Sequence, residues 1–198
     1  MFGKQINIKN FKKQIEENYK IKKKILKDFS IISFFCDKIF STLKNNNKIF
    51  ICGNGGSAAD AQHLSAEFLI RLNPKVNRKP YPIISLALDT STITACANDY
   101  DFKYIFSRPL EAISNKGDLL IVISTSGNSK NIIEVLKKSK KIGLSSIAFL
   151  GSGGGKALKL CDKALVVRSN NVARIQECHI FLGHFILNNV EKRLTLKY

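Results

Sequence analysis

Histidine is scarce in this sequence, and its three copies fall in two polar segments that also carry carboxylates. His63 precedes Glu67 by four residues in a stretch of helical pattern, with Arg71 one further turn along. That spacing stacks an imidazole, a carboxylate and a guanidinium on one helix face. The other segment, near the C-terminus, runs Arg174-Ile175-Gln176-Glu177-Cys178-His179 and on to His184. Glu177 and His184, seven apart, are nearly aligned on a helix, while Gln176 is offset by most of a quarter turn. Helical geometry alone does not choose between them. Two helices that each present histidine beside a carboxylate or carboxamide suit proton transfer at neutral pH, or a metal held by nitrogen and oxygen. His179 is expected to be a structural or interface residue.

The elements that would position these groups follow an α/β rhythm. Short apolar runs, expected as strands, occupy 49–52, 83–88, 119–124, 146–150 and 164–167. Helical stretches are expected at about 57–71, 103–114, 129–141, 154–160 and 172–193. Nearly continuous apolar strands are the mark of a parallel sheet covered on both faces, so the fold class is a doubly wound α/β sheet of five parallel strands. Ahead of it, residues 5–44 place Ile8, Phe11, Ile15 and Tyr19, then Ile25, Phe29, Ile32, Phe35, Ile39 and Leu43, at helical spacing among lysines. This predicts an amphipathic helix or helical pair with lysine on the wet face, ended by Asn45-Asn46-Asn47. The organisation is an N-terminal helical extension at 1–47 and an α/β unit at 48–198, one structural domain overall.

In such sheets ligands bind beyond the carboxyl ends of the strands. The first strand runs into Gly53-Asn54-Gly55-Gly56-Ser57, where glycine permits close backbone approach and the next helix offers free amides to an anion. The stretch also fits the looser dinucleotide fingerprint G-x-G-x-x-A, but the acidic partner, Asp89, stands about thirty residues on instead of about twenty. After the third strand comes Ser124-Thr125-Ser126-Gly127-Asn128-Ser129, four hydroxyls and a glycine before a helix: a cradle for phosphate without metal or lysine. A dinucleotide enzyme needs no such second loop. A third glycine cluster, 151–156, lacks the P-loop spacing and reads as a connector.

Composition narrows the classes further. The chain has 198 residues, 44% hydrophobic, and a formal net charge of +17. Of the 32 basic residues 26 are lysine, whereas base and phosphate readers favour arginine forks, so nucleic acid is not an expected partner. No apolar run is long enough to span a membrane and no signal peptide is evident. The five cysteines are widely spaced, without a C-x-x-C pair, and are expected in the core in a reducing cytoplasm.

Four segments, GNGGSAADAQHLSAE (53–67), ANDYDF (97–102), STSGNS (124–129) and RIQECHIFLGH (174–184), resemble the phosphoheptose isomerases of the sugar-isomerase (SIS) fold. The resemblance spans nearly the whole chain. It implies a flavodoxin-like SIS domain with an N-terminal helical extension, assembled as a homotetramer, and isomerisation of sedoheptulose 7-phosphate to D-glycero-D-manno-heptose 7-phosphate. That is the first step towards the heptose of lipopolysaccharide or capsule. It further implies Glu67 as general base and His184 as general acid. One zinc per subunit would sit on His63, Glu67, Gln176 and His184. The phosphate cradle would be Ser124, Thr125, Ser126 and Ser129. Asn54, Gly55, Gly56, Ser57, Arg71, Asn98, Asp99 and Gln176 would complete the substrate pocket. A non-catalytic SIS module that binds the replication initiator is the alternative; it has no need of the acid, base and metal positions. A sugar-phosphate sensor would need a DNA-binding domain, for which the N-terminal segment is too short and too uniformly amphipathic.

Overall fold

The computed structural model describes residues 7–196. Gln5 and Ile6, the first two residues of the expected N-terminal helix, lie outside them. Two helices open the chain, α1 (Ile8–Ile25) and α2 (Phe29–Lys44), joined by a 3-10 turn at Leu26–Asp28. Asn7 starts α1 by accepting the Lys9 N–H on its side chain at 2.8 Å. Then come β1 (Ile49–Cys52), α3 (Gly56–Leu69), β2 (Ile83–Ser85), α4 (Thr90–Asp99), α5 (Ser107–Ile113), β3 (Leu119–Ser124), α6 (Lys130–Lys141), β4 (Ser145–Gly151), β5 (Lys163–Val167) and α7 (Val172–Thr195).

The five strands form one parallel sheet in the order β2-β1-β3-β4-β5. Their side chains alternate between two cores. Ile49, Ile51, Leu119, Ile121, Ile123, Ile147 and Phe149 point to the face covered by α2, α3 and α7. Phe50, Cys52, Leu120, Val122, Ala148 and Leu150 point to the other, under α5 and α6. Both sets are apolar because both faces are covered, which is why no polar alternation marks the strands. The chain is thus the expected three-layer α/β fold with an N-terminal helical extension.

Several element boundaries differ from those expected. The helix expected at 103–114 is a 3-10 turn at Phe102–Tyr104 followed by α5, because Pro109 has no N–H to continue a helix and is tolerated only in a first turn. The segment expected at 154–160 is a 3-10 turn at Lys156–Lys159, since Gly154 and Gly155 take φ of +83° and +55°. The second strand ends at Ser85, not at residue 88, and α4 was not expected at all. The largest correction concerns α1. Its apolar stripe is not buried: Ile8, Phe11, Ile15 and Tyr19 are between 55% and 65% exposed, whereas Ile21 and Ile25 near its end are buried. Of the cysteines, Cys36, Cys52, Cys96 and Cys178 are buried as expected, and Cys161 is only half-buried.

The helix α2 is fixed to the sheet by Phe35, fully buried and edge-on to Phe149 with ring centroids 5.2 Å apart. Truncating a fully buried phenylalanine costs about 3–5 kcal/mol. Phe35→Ala is therefore expected to lower stability in urea by that amount. A loss below about 1 kcal/mol, typical of surface changes, would show that α2 lies outside the cooperative core.

Candidate functional site

The strand order puts β1 and β3 side by side, and the loops leaving their carboxyl ends meet where the sheet's winding reverses. The two loops are tied by a reciprocal amide pair. Asn54 Nδ2 donates to Asn131 Oδ1 and Asn131 Nδ2 donates to Asn54 Oδ1, both at 2.8 Å. Asn54, expected among the substrate contacts, is thus held by its neighbour. Asn131 is 2% exposed and also caps the N–H of Ile132. Sequence reasoning missed it, since an asparagine inside the first turn of a helix carries no separate signal.

The loop after β3 is braced from within and behind. The Ser124 hydroxyl oxygen accepts from the Gly127 N–H at 3.0 Å, and that of Ser126 accepts from the Asn128 N–H at 3.2 Å. Both hydroxyls keep their protons for another acceptor. Thr125 and Ser129 have no side-chain hydrogen bond among the described residues. The first N–H groups of α6 follow at once and lack intrahelical acceptors. The glycine cluster expected to be a connector packs against this loop: the N–H of Lys156 donates to Asn128 Oδ1 at 3.0 Å and that of Ala157 to Gly127 O at 2.9 Å. A Cβ on Gly155 would lie 2.4 Å from Ser126 O. This is a rigid, metal-free cradle of hydroxyls and amides suited to an anion.

The loop after β1 leads directly into α3, whose first residue is Gly56. Ser57 is buried, and Gly55 takes a φ of +55° that a side chain would resist. Two and three turns along, α3 carries His63 and Glu67, with His63 Nε2 3.2 Å from Glu67 Oε1. From α7, His184 brings its Nε2 to 2.7 Å of His63 Nε2. The ligand atoms of all three lie within 4.8 Å of one another. Two imidazole nitrogens and a carboxylate oxygen converging in this way are a donor set that fits zinc. Gln176 faces the start of α3: a methyl group on Gly56 would sit 2.3 Å from its Nε2. Glu177 is engaged elsewhere, taking hydrogen bonds from Arg174 Nη2 at 2.5 Å and from Asn18 Nδ2 of α1. The structure thus separates the two residues that helical spacing left open.

Arg71 does not share the His63 face. Helix α3 ends at Leu69, and Arg71 lies exposed beyond its C-cap, Ile70. Asn98 and Asp99 close α4, exposed, with Asn98 Nδ2 donating to Asp99 Oδ1 at 2.8 Å. Asp60, three residues before His63, was not foreseen as a site residue. Burial pushes its carboxyl up to about 6 against the pull of His63, and its Oδ2 is buried without a partner. Its spacing of three to His63 and seven to Glu67 was the available signal.

The chain resembles known proteins over most of its length. Residues 20–151 match the SIS domain family. The chain is 53% identical over 157 residues to the phosphoheptose isomerase of Campylobacter concisus, covering 79% of this chain and 82% of the relative. It is 44% identical over 191 residues to that of Clostridium acetobutylicum, covering 94% and 96%. The structure of phosphoheptose isomerase GmhA from Neisseria gonorrhoeae superposes with a TM-score of 0.86 at 35% identity, covering 93% of this chain and 98% of that one. These relatives are isomerases and lend no support to the non-catalytic alternative.

His179, on the same helix as Gln176 and His184, is the structural residue expected. It is 1% exposed, its Nε2 donates to the Leu150 carbonyl at 3.1 Å, and its Nδ1 has no partner. Burial holds its pKa down at about 4, against 6.5 for the free side chain. As pH falls from 6.5 to 4 the unfolded chain gains a proton here that the folded chain refuses, so stability drops through that window and levels off below it. His179→Gln, which keeps a donor for Leu150, is expected to remove about 2–3 kcal/mol of this loss. Urea midpoints from pH 7 to 4 that fall in parallel for both proteins would contradict the assignment.

Proposed function

The chain belongs to the phosphoheptose isomerase family of SIS-domain proteins and is a sugar-phosphate isomerase, and on that premise we propose that it converts sedoheptulose 7-phosphate to D-glycero-D-manno-heptose 7-phosphate. The product would be a precursor of heptose for a bacterial surface polysaccharide, lipopolysaccharide or capsule, made in the cytoplasm. The observation that carries this reading is the convergence of His184 on His63 and Glu67 of the helix that leaves β1, while the neighbouring strand β3 ends in the loop of Ser124, Thr125, Ser126 and Ser129. One arrangement holds a phosphate and the other handles protons.

The chemistry moves hydrogen between adjacent carbons. The Glu67 carboxylate takes a proton from carbon 1 of the ketose. The electron pair left behind forms the carbon 1–carbon 2 double bond of an enediol, and the carbonyl oxygen on carbon 2 takes up a proton. His184 carries the hydroxyl proton between the two oxygens, a task suited to imidazole at neutral pH. Glu67 then returns its proton to carbon 2 and carbon 1 becomes the aldehyde. The phosphate, held by the loop after β3 and the start of α6, fixes the distance from carbon 7 to the reacting carbons. Gln176 lies against Gly56, and Ser57 follows it in the first turn of α3. One zinc per subunit, on His63, Glu67, Gln176 and His184, would polarise the substrate oxygens as a Lewis acid. A carboxylate held on zinc is a poorer base, so holding the metal would compete with the work of Glu67 as base.

We further propose that the active form is a homotetramer. The apolar stripe of α1 is exposed, a groove of about 710 Å³ runs between α1 and α7, and exposed Phe181 and Phe185 flank His184. Apolar patches of this kind mark interaction sites, and a second copy seated here would shield the catalytic cluster from water. Gel filtration is expected to give a tetramer, and Phe11→Glu with Tyr19→Glu to give smaller species of low activity. A fully active monomer would exclude this.

Purified protein is expected to turn over sedoheptulose 7-phosphate, with metal content measured on the same preparation. Glu67→Gln should lower kcat by at least about 1,000-fold, the scale of a lost general base, while sugar-phosphate binding persists. Absence of turnover by the unmodified protein, with and without added zinc, would end the reading.

A further inference from the structure

The two helices that carry the catalytic cluster are fastened to each other at a second place, away from the cluster, by a buried ion pair. Arg78 lies between α3 and β2 with its side chain 3% exposed, and Glu191 lies two turns beyond His184 on α7 with its side chain 2% exposed. Arg78 Nε donates to Glu191 Oε1 at 2.6 Å. Nη2 donates to the carbonyl of Glu67 at 2.8 Å. Nη1 donates to the carbonyls of Phe68 and Lys79, both at 3.0 Å. The guanidinium plane rests against the rings of Phe68 and Tyr81, 4.9 and 5.4 Å from their centroids.

Four of the five guanidinium protons are thereby accounted for, two by the last turn of α3, one by α7 and one by the carbonyl of Lys79. Helix α3 stops at Leu69, so the carbonyls of its last turn lack intrahelical donors. Arg78 supplies donors to two of them, one being that of Glu67 itself. Its positive charge also sits at the negative end of the α3 dipole. A buried ion pair gives little net stability over an apolar pair of equal volume. What this pair provides is direction: a planar fork fixes the angle between the end of α3 and the last turns of α7.

We propose that Arg78 and Glu191 are positioning residues of the isomerase, which set the Glu67 backbone and the α3–α7 crossing so that Glu67, His63 and His184 converge. Neither side chain touches the reacting side chains of the cluster; Arg78 meets only the backbone carbonyl of Glu67. The catalytic part of the inference rests on the isomerase reading above; the geometric part does not. The phosphate loop belongs to β3 and α6 and receives nothing from the clamp, so the effect should fall on the chemical step and spare binding.

The test uses the full chain with Glu191→Gln, which keeps shape and loses charge, and Arg78→Lys, which keeps charge and loses the fork. Both are compared with the unmodified protein in kinetics and in crystal structures. The expected result is a fall in kcat of about tenfold or more per folded molecule, with KM changed by less than about threefold. Arg78→Ala should fall further, so that lysine rescues part of the loss. In the crystals the His63–His184 separation should widen beyond 2.7 Å. Should Arg78→Lys not fold, the isosteric Glu191→Gln carries the test. A lower melting temperature with unchanged kcat, or an unchanged separation between the histidines, would overturn the proposal. An unmodified protein inactive on the heptose phosphate would instead count against the substrate assignment, and the crystallographic separation would still decide the clamp.

Discussion

Helices α3 and α7 touch where one side chain is missing. A Cβ on Gly183 would lie 2.6 Å from Leu64 Cδ1, so the glycine leaves the space that the Leu64 side chain fills between the two helices. Glycine inside a helix costs roughly 0.5–1 kcal/mol relative to alanine, and α7 accepts that cost at the residue just before His184. The approach it permits brings His184 edge-on to His63, with centroids 4.9 Å apart, from 121 positions away in the chain. Were α7 held off by even a methyl group, the trio of His63, Glu67 and His184 would open. The same device recurs at the phosphate loop. There Gly127 and Gly155 let two loops pack backbone to backbone, and a Cβ on Gly127 would fall 2.0 Å from Gly154 O. The site is assembled as much by absent side chains as by present ones.

The parallel strands were legible because each is apolar on both faces, and the cores on the two sides of the sheet account for every residue of β1 and β3 except Ser124. Helix α4 escaped notice because Thr90-Ser91-Thr92-Ile93-Thr94 is poor in helix formers. It is started instead by Asp89, whose Oδ1 accepts the Ser91 N–H at 3.0 Å. That aspartate had looked like the acidic partner of a dinucleotide fingerprint. The histidines and Glu67 could be singled out by spacing, and so could the hydroxyl loop. The choice between Gln176 and Glu177 could not, because it depends on which neighbour each meets: Gly56 in one case, Arg174 and Asn18 in the other. The placing of Arg71 on the His63 helix face failed for a related reason, since periodicity projected a helix two residues past its real end.

The excess of lysine looks different once placed on the fold. Much of it lies along α1 and at the end of α6, where Lys137 and Lys138 pair with Glu134 and Glu111. Among them Lys22 stands over the Phe181 ring, its Nζ 4.6 Å from the ring centre. A field of this sign draws anionic sugar phosphates and makes their on-rate salt-dependent. The exposed apolar stripe of α1 is more telling than the charge beside it, because it is a helix face that finds no cover among the described residues.

The central claim is that Glu67, placed by the α3–α7 contact, takes a proton from carbon 1 and returns it to carbon 2. Running the conversion of sedoheptulose 7-phosphate in deuterated water tests this most directly, with the product examined by NMR. A carboxylate that holds the proton between the two steps exchanges it with solvent, so the account predicts deuterium on carbon 2 of the aldose. The same labelled product formed at full rate by Glu67→Gln would contradict it, since the proton would then pass through another group.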